Sequence, residues 1–526
     1  MPLQAGGRGR PRPGYMAARL SSAAAAVLLA AVLVIPPPLC AAAQRRETMR
    51  LSLEEGIPLV LANNLDLAVE RITPRLKEKA LESEEGLFDV ELFGSIKRLD
   101  STRPLTTRSS VAAGGLRAIQ SKSYTFSTGL TGTVPLGTTY TLEFKDNWSA
   151  DTFNRFTFEY DAFAGITLTQ PLLKGFGSDS TRYRIELARK ALAVSENELR
   201  GRILDTLAAY ITAYWDLVAA REELKVREES VRLAEALVEL NRRKLDAEVA
   251  SPLDVTQAEA GVAARREAVI LARRDITVKE NALKLMISSD IMALRDVAVL
   301  PTDSPRLLPV RYSLEENVRT ALAKRPDYLA RKLAIEESRI KVRYAENQLY
   351  PSVDLEASYG YNGLGTNFFD AVESFSGNPE WSIGVTVRYP LGNRVAGGEL
   401  GGARLEARRA LLELKRLEQR IIVAVDNALR EITAAEERVR AARRSVRLAE
   451  ESLRAEQEKL AAGLSTTFNV LEYQQKLTEA RSAEIRALAD YNKSLTLLRK
   501  ERGTLMEDYD IELDGGGPAG RSGGIS

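Results

Sequence analysis

The chain has 526 residues, 28% of them charged, with 74 basic and 72 acidic side chains and a formal net charge of +2. So balanced a charge, with basic residues interleaved among acidic ones, reads as solvated helix faces and argues against a nucleic-acid partner. There is no histidine and one cysteine, Cys40, which excludes Ser-His-Asp and Cys-His catalysis and the usual zinc ligand sets. No glycine-rich phosphate loop is present and no carboxylate pair stands apart from its neighbours, so the expectation is no catalytic residue, no cofactor, no metal and no enzyme.

The N-terminus places Arg8, Arg10, Arg12 and Arg19 before an apolar run over residues 20–35, then prolines and Ala41-Ala42-Ala43. This predicts a secretory signal over residues 1–43, its apolar core shorter than the ~20 residues a spanning helix needs. Cleavage after Ala43 removes Cys40, so no disulfide is expected in the mature chain. Beyond it no run approaches 18 uninterrupted apolar residues. No transmembrane helix is expected, and a membrane crossing would use strands.

The remainder is written twice. LSLEEGIPLVLANNLDL at residue 51 returns as YSLEENVRTALAKRPDY at residue 312, and GITLTQPL at 165 returns as GVTVRYPL at 384. The offset falls from 261 to 219 between these pairs, so the first half carries 42 extra residues there. The expected domains are a first repeat over residues 51–300, with a helical hairpin at 181–290, and a second over 312–508, with strands at 350–361 and 381–390 and a helical hairpin at 398–506. A Gly-rich tail over 509–526 reads as disordered.

In each repeat the strands follow an opening helix. In WSIGVTVRY, Trp381, Ile383, Val385 and Val387 point one way and Thr386 and Arg388 the other; in PSVDLEASYGY, Val353 and Leu355 oppose Asp354 and Glu356. In the first half Phe88, Val90, Leu92 and Ile96 alternate with Asp89, Glu91, Ser95 and Lys97. Such alternation fits strands with lipid on one side and a water-filled lumen on the other, as it also fits a soluble sandwich. More than half the aromatic residues fall within 120–176 and 350–389, as interface girdles require. The extra residues read as a hairpin at 120–148 turning at Pro135-Leu136-Gly137, either widening a barrel or forming an external flap. Four spanning strands per chain cannot close a barrel, and an open edge in lipid is prohibitively costly, so the chain is expected to oligomerise.

The helices carry sevenfold apolar repeats: Leu217 to Leu245, Val255 to Leu283, Val425 to Leu460, and Val470 to Leu505 with an interruption at Glu484. Strict sevens predict left-handed coiled-coil packing, in a helix of ~100 Å over residues 181–248. Both series break at the hairpin tips. Small residues there (Ala250, Ser251, Ala461, Gly463, Ser465) allow close helix approach, Leu253, Leu464 and Phe468 offer apolar anchors, and Asp254 and Asn469 occupy matching positions. These ten are the candidate gate and partner contact, against the plainer reading of helix-turn-helix connections. Asp254 is also expected to cap its helix.

The paired opening helices, the strand exit ITLTQPLLKGFG and the tips EVASPLDVTQAEA and AAGLSTTFNVLEYQQ, in order and duplicated, resemble the TolC-like outer membrane efflux proteins over residues 51–508. The resemblance implies a mixed α and β fold: a homotrimer with a shared 12-stranded β-barrel in the outer membrane lipid and a periplasmic tunnel of coiled-coil helical hairpins. It implies a passive exit duct docking a periplasmic adaptor (membrane fusion protein) and an inner-membrane pump, for efflux or type I secretion. This sequence departs from the family's Gly-then-Asp tips: the first keeps Asp254 without a glycine, and the second keeps Gly463 with Asn469 in place of the acid. An aspartate-ring gate therefore lacks half its acids. The alternatives, a periplasmic adaptor or a structural coiled-coil envelope protein, do not call for two hairpins and repeated lipid-type strands.

Overall fold

A computed structural model describes residues 47–152, 155–307 and 313–511. The expected signal over 1–43, with Cys40, and the tail from 512 lie outside the described residues.

The elements run β1 (Thr48–Leu51), α1 (Leu53–Asn63), α2 (Leu65–Glu70), α3 (Ile72–Glu85), β2 (Glu91–Pro104), α4 (Thr107–Ala112), β3 (Ala118–Thr133), β4 (Thr139–Asp151), β5 (Glu159–Pro171), α5 (Ser178–Thr181), α6 (Tyr183–Asp246) and α7 (Pro252–Ile287). The second half runs β6 (Ala298–Pro301), α8 (Leu314–Lys324), α9 (Pro326–Asn347), β7 (Ser352–Gly365), α10 (Phe368–Glu373), β8 (Pro379–Arg388), α11 (Arg394–Ala461) and α12 (Thr467–Arg502). Short β1 and β6 pair in parallel and tie the start of the first repeat to the end of its hairpin.

The other strands form one antiparallel sheet in the order β2-β3-β4-β5-β7-β8. Besides the four strands expected to span, it holds β3 and β4, the extra hairpin, which sit inside the sheet, paired along β2 on one side and β5 on the other. The first strand also begins later than its alternation suggests. Phe88 closes a 3₁₀ turn over Gly86–Phe88, and pairing starts at Glu91.

The long helices follow their heptads. Val425, Ile432, Val439, Val446, Leu453 and Leu460 of α11 are all buried, as are Val470, Leu477, Tyr491 and Leu498 of α12. At the interruption Glu484 instead reaches Arg443 of α11 at 3.3 Å. At about 1.5 Å per residue, the 64 residues of α6 span about 96 Å and the 68 of α11 about 102 Å. Near the sheet, α3 and α9 pack beside them, and towards the tips α7 and α12 return. Among the described helices only α6 is long and apolar enough to cross a membrane by composition, and 61% of that window is buried. It is the core helix of the first repeat: Ile203, Leu207, Tyr210, Ile211 and Tyr214 pack with Ile57 and Val60 of α1 and Leu283 of α7. Tyr509 and Ile511 pack on the same core, so order continues past the expected start of the tail at 509.

Candidate functional site: channel lining and helical tips

Cross-strand register decides which side chains share a face, because directly paired residues project to the same side. Val353, Leu355, Trp381, Ile383, Val385 and Val387 lie on one face, continued by Ile166 and Leu168 on β5, Leu142 and Phe144 on β4, Leu130 and Phe126 on β3, and Leu92 and Ile96 on β2. Asp354, Glu356, Thr386 and Arg388 lie on the other, with Thr167, Glu143, Lys145, Ser127, Thr131 and Lys97.

The polar face is bonded across its strands. Arg388 meets Asp354 at 3.1 Å, the Ser358 and Ser382 hydroxyls are 2.7 Å apart, those of Ser95 and Ser127 2.8 Å, and Thr125 donates to Asn147 at 3.0 Å. The apolar face is bare towards the helices, where Val385 and Val387 are 60% and 63% exposed. At the far end α10 folds over it, with Phe368 and Phe375 edge-on to Phe144 at 6.0 and 6.5 Å. Asp146 projects from this face and is buried there, as is Ala162.

Two necks turn strand into helix. After β5 the backbone turns through Gly175 and Gly177 (φ 83° and 89°), and after β8 through Gly392 and Asn393 (φ 92° and 37°), a left-handed region that side chains resist. Asn347 at the end of α9 fixes the first neck, its Oδ1 accepting from the Gly175 N–H at 2.7 Å and from the Ser180 hydroxyl at 3.2 Å. Asn393 fixes the second by donating to the Leu349 carbonyl at 3.0 Å. Tyr183 and Tyr344 stack beside them at 3.9 Å.

At the opposite end lie the tips. Ala250 and Ser251 sit in the first turn, Gly463 and Ser465 in the second, and Ala461 closes α11. Leu253, Leu464 and Phe468 are exposed, Leu464 by 79%, and Val249 joins them. Ser251 caps α7, its hydroxyl accepting from the Leu253 N–H at 3.2 Å, while Asp254 accepts from the Ser251 N–H at 3.1 Å. Thr466 caps α12 by accepting from the Asn469 N–H at 3.3 Å. Asn469 donates instead to the Ser465 hydroxyl at 3.4 Å, and Ser465 in turn donates to Glu456.

Sequence reasoning missed the residue that joins the two tips. Asn241 of α6, 2% exposed, donates to the Asp254 carbonyl at 3.1 Å and to the Thr467 hydroxyl at 3.0 Å, so one side chain binds the starts of α7 and α12. Lys244 adds a bond to the Leu460 carbonyl at 3.1 Å. Above them Arg265 of α7 is buried between Ser230 of α6 (3.1 Å) and the Leu471 carbonyl of α12 (3.1 Å). A polar residue at a heptad-adjacent position is the only sequence sign of such a joint.

The sequence profile of the family described as outer membrane efflux protein matches residues 139–289 and 317–504, covering most of both repeats. The chain belongs to that family. It is similar to the outer membrane efflux protein BepC of Brucella suis, 28% identical over 348 residues, covering 65% of this chain and 72% of that one. It is also similar to the outer membrane protein TolC of Vibrio cholerae, 23% identical over 363 residues, covering 67% and 79%. Among solved structures, the Vibrio cholerae outer membrane protein VceC shares the fold with a TM-score of 0.63 at 17% identity, over 86% of this chain and 96% of that one. For an efflux-family channel the two-faced sheet is the barrel wall and the long helices are the tunnel, and among the described residues no group of three or more metal-ligating side chains is set to hold an ion.

Proposed function

We propose that this chain is one subunit of a homotrimeric outer-membrane channel, a passive exit duct from the periplasm for an efflux or type I secretion assembly, carrying out no chemistry of its own. The observation that carries the reading is the two-faced sheet joined by its necks to helices of about 100 Å. In this reading Val353, Leu355, Trp381, Ile383, Val385 and Val387 face lipid, and Asp354, Glu356, Thr386 and Arg388 face the lumen.

Among the described residues the outer edges of β2 and β8 have no strand partner within one chain. An open edge in hydrocarbon leaves its N–H and C=O groups without partners, so copies of the chain supply them. The tips reach the far end of the periplasmic helices and expose Val249, Leu253, Leu464 and Phe468, which suits docking of an adaptor and, with it, an inner-membrane pump.

Extraction and mass test this reading. The protein should resist carbonate and leave the membrane only with detergent, as a complex of three chains. Val385→Arg should weaken the inserted barrel by about 2–4 kcal/mol, and Thr386→Arg should be tolerated and shift ion selectivity. Release by carbonate, or equal tolerance of both arginines, overturns it.

A further inference from the structure

We infer that the inserted hairpin of β3 and β4 is part of the membrane wall, so that three copies of the chain, six strands each, close a barrel of 18 strands instead of the 12 that the family resemblance implies. The inference rests on the trimeric reading above and adds the strand count to it.

Three observations place the hairpin in the wall. First, it is paired along both sides, to β2 from Glu91 to Pro104 and to β5 from Thr139 to Ser149; a flap outside the barrel would leave β2 and β5 to pair with each other. Second, its turn lies at the helical neck, where the Leu136 carbonyl accepts from the Gly177 N–H at 3.2 Å. Its strands therefore begin at the same level as β5 ends. Third, its faces continue those of its neighbours, with Leu130 and Leu142 on the apolar side and Ser127 and Lys145 on the polar side.

The aromatic row gives the depth. Tyr124, Trp148 and Tyr160 stand side by side on β3, β4 and β5, with ring centroids 5.4 and 6.1 Å apart, and Arg98 of β2 lies over Tyr124 at 5.4 Å. Aromatic side chains at one level mark a lipid–water boundary. On β4 this row stands eight residues from Tyr140, about 27 Å at ~3.4 Å per residue, with Phe144 under α10 midway between them.

Closure is permitted by parity. A two-strand insertion leaves β8 running towards the helices and β2 away from them, so each junction between copies is antiparallel, as it is without the insertion. Barrel diameter grows roughly in proportion to strand number, so the wall is about 1.5 times as wide as one of 12 strands. The hairpin then contributes Glu143 and Lys145 to the lumen, and the widest section of the duct lies in the outer membrane.

Single cysteines in a Cys40→Ser background test this, placed at Ser127 and Lys145 and at Leu130 and Leu142. Each is labelled with a bimane in the full-length protein in lipid nanodiscs, and quenching by aqueous iodide is compared with quenching by nitroxide-bearing lipid. Mass in detergent and barrel diameter in end-on electron-microscope images are read on the unlabelled protein. Alternation, with Leu130 and Leu142 quenched from lipid and Ser127 and Lys145 from water, in a three-chain complex with the 1.5-fold wider wall, is the expected result. Three chains with all four positions quenched from water, or a wall of 12-strand width, overturns the inference and leaves the trimer standing. A complex of any other number of chains overturns the trimer, and the count of 18 with it.

Discussion

The two helical tips use the same backbone and different side chains. After α6 the Glu248 and Val249 N–H groups bond back to the Leu245 and Lys244 carbonyls at 2.9 and 2.9 Å; after α11 the Gly463 and Leu464 N–H groups bond to Leu460 and Lys459 at 3.3 and 2.8 Å. Both are Schellman turns whose pivot is left-handed, at φ 60° for Glu248 and 76° for Gly463. Glycine takes that conformation freely, whereas a residue with a Cβ resists it by about 1–2 kcal/mol. The first tip offsets this strain with side chains, Pro252 opening the helix and Ser251 and Asp254 closing a capping box. The second has an amide in place of the acid and lacks that box, and instead bonds its turn to Glu456 through Ser465. One tip is thus fixed by caps and the other by its glycine.

Breaking the joint that both tips share should have the largest effect. Asn241→Leu strands the Asp254 carbonyl and the Thr467 hydroxyl, a loss of about 1–3 kcal/mol. Hydrogen exchange should rise at both tips together, and conductance in planar bilayers should increase; faster exchange at one tip alone would show that Asn241 does not couple them.

Exchanging the pivots sharpens the contrast. Gly463→Glu should loosen the second tip by about 1–2 kcal/mol and impair export, with assembly and insertion intact, while Glu248→Gly should leave the first tip as stable or slightly firmer. Equal loss at both would mean that the pivots are not what distinguishes them.

Caps come next. Asp254→Ala removes the acceptor for the Ser251 N–H and should cost about 1 kcal/mol, whereas Asp254→Asn keeps an acceptor and should cost less. Equal conductance changes in both would point to the charge, and no change in either would remove Asp254 from gate and cap alike.

The smallest effect is that of pH. Hydrogen bonds from Ser465, and then from Lys459, hold the Glu456 carboxyl below its ordinary value of 4.5. Stability from the ionised form is therefore complete above that value and is lost as pH falls through the lowered one. Exchange at the second tip should quicken on acidification in that range while the first tip changes less, and Glu456→Gln should abolish the difference.

The helical half was the more legible part. Heptad positions on α11 and α12 are buried as their spacing predicts, because a seam that recurs every seven residues has one partner direction. Strand faces were equally legible: Val385 and Thr386 fall on opposite sides, as alternation requires. Strand neighbours were not. Alternation in the segment around Leu130 and Leu142 says that it has two faces, and is silent on whether β2 pairs with β3 or with β5. The first tip misled for a related reason. Its sequence shows no glycine, yet Glu248 stands where Gly463 stands and takes the same conformation, a tertiary override of local preference. Asn241 looked like any solvated polar residue on a long helix, since its two partners lie 13 and 226 positions away in the chain.

The long helices also act as a ruler. With α6 and α11 matched to within four residues, both tips descend to nearly one depth, and that depth fixes how far an inner-membrane assembly must rise to meet them. A change of seven residues moves a tip by about 10 Å while keeping its seam in register. A change of three or four moves it half as far and rotates the seam away from its partner. The periplasmic gap this duct can serve is therefore adjustable only in whole heptads, taken from all four long segments at once.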